Sequence, residues 1–106
     1  MIQVTIQTSS GEYKGFSFYG HSGYAEEGSD IICAAVSALV INTVNSLERF
    51  TSDQFDKETD EDKPLISVRF TDRLSPEGKL LVDSMILGVK DVADSYGYVE
   101  MVYKEE

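Results

Sequence analysis

Gly20-His21-Ser22-Gly23-Tyr24-Ala25-Glu26-Glu27-Gly28-Ser29-Asp30-Ile31-Ile32-Cys33-Ala34-Ala35-Val36-Ser37-Ala38-Leu39 is the stretch around which the chain is organised. It runs from a glycine-rich loop into a strongly apolar helical segment, and it holds the only histidine and the only cysteine. Asp30 suits the N-cap, because its carboxylate can accept from the free N–H groups of a first turn. Ile31, Ile32 and Cys33 then become the first three helical residues. A thiol there meets the positive end of the helix dipole and unpaired backbone donors, both of which favour the nucleophilic thiolate. The charge of Asp30 opposes this, and a protonated His21 would more than offset it. His21 stands twelve positions before Cys33, and residues 22–29 can close a loop whose ends meet, with Gly20, Gly23 and Gly28 permitting the turns. A nucleophile with a base in reach is the minimum for covalent acyl transfer. A lone cysteine in an apolar helix is also commonly a small buried hydrophobe. Spacing alone leaves the two readings level.

Outward from this junction, the pattern predicts a helix over residues 31–48. From Ile31 to Ile41 it has almost no polar face, so it must be covered on more than one side. A sheet covers one side, and a second helix or a second subunit covers the other. Ser37, four positions after Cys33, shares its face and either bonds its own backbone or helps place the substrate or the thiolate. Upstream, Ile2, Val4 and Ile6 alternate with Gln3, Thr5 and Gln7 as in a half-buried strand. Ser9-Ser10-Gly11 turns the chain into a second strand, 13–19, with Phe16 and Phe18 on one side.

Downstream, residues 50–57 read as a third strand, leading into an acidic stretch through Asp62 that reads as a solvated hairpin tip. Residues 65–71 form a fourth strand. Ser75-Pro76-Glu77 opens a second helix, carried by Leu81, Met85, Val89, Val92 and Tyr96 and ended by Gly97. Gly88 weakens that helix but permits close packing against the first. A last strand covers 98–103. The order ββαββαβ predicts an α+β, two-layer fold: a mostly antiparallel sheet with two helices packed on it, in one domain over 1–106.

With 106 residues, 42% of them apolar, the chain can bury a core without disulfide or metal support. One cysteine and one histidine exclude an internal disulfide and give no zinc set, so no metal is expected. The acidic stretch does not fit the spacing of a calcium loop. A free thiol suits a reducing cytosol, and the start Met1–Ile6 lacks the parts of a signal peptide, so a cytoplasmic protein is expected. The apolar run 31–41, broken by Ser37, is too short to span a bilayer, and no membrane partner is expected. Nineteen acidic against nine basic side chains leave a net charge of −10, which argues against direct nucleic-acid binding. Such a charge serves solubility first, and it could also attract a basic substrate tail by electrostatic steering.

The segment Gly20–Leu39 closely resembles the signature of the ribosomal-processing cysteine protease family (Prp): a Gly-His pair, a glycine-containing loop, Asp-Ile-Val-Cys-Ala, then Val-Ser-Ala. Ile32 replaces the common valine, and no reactive position departs. The likeness extends in length and element order over nearly the whole chain. It implies an endopeptidase of Firmicutes and related bacteria that removes the N-terminal extension of large-subunit ribosomal protein twenty-seven. Cys33 would be the nucleophile and His21 the general base, in a homodimer with a mobile loop beside the site and no cofactor. Around the pair, Gly20, Ser22, Gly23, Tyr24, Gly28, Asp30, Ala34 and Ser37 are the loop and substrate-binding candidates. Gly23 and Gly28 would hinge the loop, and Tyr24 would wall the substrate or anchor the loop. Asp30 would orient His21 or cap the helix. A different class of function on the same surface is a non-catalytic ribosome-assembly factor that binds a ribosomal protein and tolerates loss of Cys33.

Overall fold

The structure, a computed structural model, describes residues 1–20, 29–60 and 65–106. In chain order the elements are β1 (Ile2–Ser9), β2 (Glu12–Tyr19), α1 (Ser29–Phe50), β3 (Phe55–Asp60), β4 (Leu65–Phe70), α2 (Pro76–Tyr96) and β5 (Val99–Glu105). The strands form one sheet in the order β3-β4-β2-β1-β5. Every pairing is antiparallel except β1 with β5, which is parallel. The two-residue β1–β2 turn has positive φ at both Ser10 (52°) and Gly11 (80°), the hand that matches the twist of a hairpin.

Period-two alternation sends Ile2, Val4, Ile6, Phe16, Phe18, Val68 and Phe70 into the core. Against them α1 lays Ile32, Val36, Val40, Val44 and Leu47, at helical spacing. Val82, Met85 and Val89 come from α2. The apolar surround of α1 is thus divided between the sheet and α2, and Gly88 lets Leu39 lie within 3.2 Å of where a Cβ would stand. The window Ile31–Phe50, mean hydropathy 1.6, is long and apolar enough by composition to cross a bilayer, although the uninterrupted run is not. Its buried side chains pack into this core.

Two boundaries differ from expectation. α1 continues to Phe50 and the third strand starts only at Phe55, because the Thr51 hydroxyl donates to the Leu47 carbonyl (2.7 Å) and accepts from Asp53 N (3.1 Å). The chain is thereby committed to a helix exit rather than a strand. The acidic stretch is also not simply a solvated tip. Asp56, Glu58 and Asp60 lie within β3, where Asp56 sits opposite Arg69, and Asp53 binds Ser75. Residues 61–64 fall outside the described residues. On α2, Val82 is fully buried while Tyr96 is 64% exposed, so the inner stripe is turned toward Val82 and away from the helix end.

Candidate active site

Alternation along β2 puts Phe16, Phe18 and then Gly20 on the side facing the helices, and Gly20 is buried where the strand runs out. On α1, Cys33 follows the buried Ile32 and is half-buried against the core. The two elements meet at these positions. A Cβ added to Gly20 would stand 2.8 Å from Cys33 Sγ and 3.1 Å from the Phe18 ring. The φ of Gly20 is outside the left-handed region, so its backbone does not require glycine for a turn. The expectation that Gly20 serves chain reversal is replaced: the missing side chain makes room for the sulfur. Phe18, 2% exposed, forms the second wall of this seat, a role the sequence reading missed. The signal was available, since Phe18 and Gly20 are two apart on one strand face.

α1 begins at Ser29, so Asp30 lies inside the first turn rather than at the N-cap position. Cys33 is the fifth helical residue, not the third. A helix starting at Ser29 leaves the N–H groups of residues 29–31 without intrahelical acceptors, whereas that of Cys33 is bonded within the helix. Ala34 is exposed beside Cys33. Ser37 is half-buried and donates to the Ala34 carbonyl at 3.2 Å, the local bonding its position allowed. His21, Ser22, Gly23, Tyr24 and Gly28 lie outside the described residues. Among the described residues, no group of three or more His, Cys, Asp or Glu side chains is placed to hold a metal ion.

A cleft of about 510 Å³ lies at the other end of β2, between the β1–β2 turn and the start of α2, with Tyr13, Leu74, Pro76 and Lys79 among its lining. By strand rise it is roughly 25 Å from Gly20.

Residues 1–99 match the family model described as cysteine protease Prp. The ribosomal processing cysteine protease Prp of Bacillus subtilis (strain 168) is 31% identical over 101 residues, covering 91% of this chain and 90% of the relative. That of Staphylococcus aureus (strain Mu50) is 28% identical over 97 residues, covering 91% and 92%. The crystal structure of the S. aureus essential ribosomal processing protease Prp with a substrate peptide matches with a TM-score of 0.92 at 26% identity, covering 98% of this chain and 100% of that one. The S. aureus protease with a covalently linked product peptide matches at 0.86 and 27% identity, with the same coverage.

Proposed function

The chain belongs to the Prp family of cysteine proteases, and from that premise we propose that it removes the N-terminal extension of large-subunit ribosomal protein twenty-seven, with Cys33 as nucleophile and His21 as general base and acid. The observation that carries the residue assignment is the closeness of Gly20 to the Cys33 sulfur, which lies 2.8 Å from where a Cβ would stand. His21 is bonded to Gly20, so the only imidazole is tethered one residue from the thiol's seat. The relatives named as ribosomal processing proteases, one of them solved with a substrate peptide, support the substrate class.

In this mechanism the Cys33 thiolate, paired with protonated His21, attacks the scissile carbonyl to form the C–S bond. His21 gives its proton to the leaving amine as the C–N bond breaks. Water, deprotonated by His21, then attacks the thioester and returns the thiolate. The free N–H groups at the start of α1, that of Ile31 foremost, are the donors proposed for the developing oxyanion. Ser22, Gly23, Tyr24 and Gly28 belong to the loop proposed to cover the peptide.

The reading extends to a cytoplasmic homodimer. Ile31 (74% exposed), Ala34, Ala38 and Ile41 (46%) share the outer face of α1, and a second copy would cover that apolar strip. Light scattering on a sizing column should give twice the chain mass, and Ala38→Glu should lower it to the monomer.

The decisive test is mass spectrometry of the ribosomal precursor after incubation with the protein. Wild type should remove the extension, while Cys33→Ala, still folded, should lose at least about 10³-fold in rate. Wild-type cleavage by Cys33→Ala overturns the proposal. His21→Ala should also abolish turnover and move the pH midpoint of thiol alkylation upward, since loss of the cation disfavours the thiolate. An unmoved midpoint would remove His21 from that role.

A further inference from the structure

We infer that Gly20 is a positioning residue for the reaction: its missing side chain forms the seat that fixes the Cys33 sulfur against the end of β2. This rests on Cys33 being the nucleophile. Three observations carry it. The backbone at Gly20 is open to any residue, so turn geometry does not account for the glycine. A Cβ there would stand 2.8 Å from Sγ, closer than carbon and sulfur can approach. On the other side Phe18 is locked in the core, with ring atoms 3.1 and 3.3 Å from the same point, so the added methyl group cannot turn away from the sulfur.

Cysteine has a single side-chain torsion, and helix sterics leave it two common rotamers. Relief of the overlap therefore requires the sulfur to jump to another rotamer or the start of α1 to lift off β2. Either movement displaces the nucleophile, for which a misplacement of about 1 Å can cost about 10²-fold. Neither needs to alter how the peptide binds elsewhere on the protein.

The test is Gly20→Ala in the full chain. Because Cys33 is the only thiol, alkylation reports on it alone. On a peptide spanning the ribosomal cleavage site, kcat should fall about 10²-fold while KM stays within about threefold. The pH midpoint of iodoacetamide alkylation should move from that of wild type. A folded Gly20→Ala protein with kcat within about threefold of wild type overturns the inference. If Gly20→Ala does not fold, the same change is made in Cys33→Ala. Removing the sulfur should then restore folding or recover part of the lost Tm, and equal damage in both backgrounds overturns the inference. The two proposals fail separately. An active Cys33→Ala sinks the protease assignment, whereas an inactive Cys33→Ala beside a fully active Gly20→Ala sinks only the positioning role.

Discussion

The 2.5 Å hydrogen bond from Tyr13 Oη to Asp83 Oδ1 ties β2 to α2 through two side chains of opposite acid strength. Burial first, and then the bond and charge of Asp83, push the Tyr13 hydroxyl well above its ordinary value of 10.0. The same bond, helped by Lys79 Nζ at 3.0 Å, holds the Asp83 carboxyl below its usual 3.8. A raised tyrosine stabilises the fold below its unfolded pKa and loses that contribution as pH rises through the folded value. A lowered aspartate stabilises above its unfolded pKa and loses that contribution as pH falls through the folded one. The stability advantage of wild type over Tyr13→Phe should therefore be level between about pH 5 and 9 and shrink on both sides. Urea midpoints of the two proteins across pH check this, and an advantage that stays constant down to pH 2 would refute it.

Among the elements, α2 has the best-defined start. The Ser75 hydroxyl accepts from Gly78 N at 3.0 Å and donates to Asp53 Oδ2 at 2.7 Å, while Ser75 N donates to Asp53 Oδ1 at 2.9 Å. Ser75→Ala should cost about 1 kcal/mol in urea unfolding, which lowers Tm by roughly 4–8 °C in a domain near this size. This cap was legible because Ser-Pro-Glu is a local signal, and so were β1 and β2, whose apolar residues alternate over Ile2–Ile6 and Phe16–Phe18. β3 was misplaced because its helix-facing side carries Phe55 followed by Lys57 and Thr59, so no apolar period marks it. The pairing of β5 beside β1 is set by contacts far apart in sequence and left no local trace. The site divides in the same way. Cys33 stood out by residue type and helix position, but Gly20 looked like any loop glycine. A sequence does not distinguish a glycine that must turn from one that must yield space; only the neighbouring sulfur does.

On the scale of the whole molecule, a charge of −10 acts on any basic substrate before contact. The cleavage reading then predicts that kcat/KM on the ribosomal precursor falls several-fold as salt rises from about 20 to 300 mM, because screening shortens the reach of the field. Alkylation by uncharged iodoacetamide should be unaffected, and equal salt dependence of both reactions would argue against steering. A different constraint comes from the parallel ladder that joins Ile2–Thr8 to Val99–Glu105. Gln3 Nε2 reaches Glu100 Oε1 at 3.0 Å across 97 positions of chain. During synthesis β1 emerges well before β5, so one edge of β1 must wait unzipped until the whole stretch between them has left the exit tunnel. Closing so long a loop is entropically slow. Completion of the sheet is therefore gated by the emergence of β5, and a chain stalled before it would present an open strand edge to whatever lies nearby.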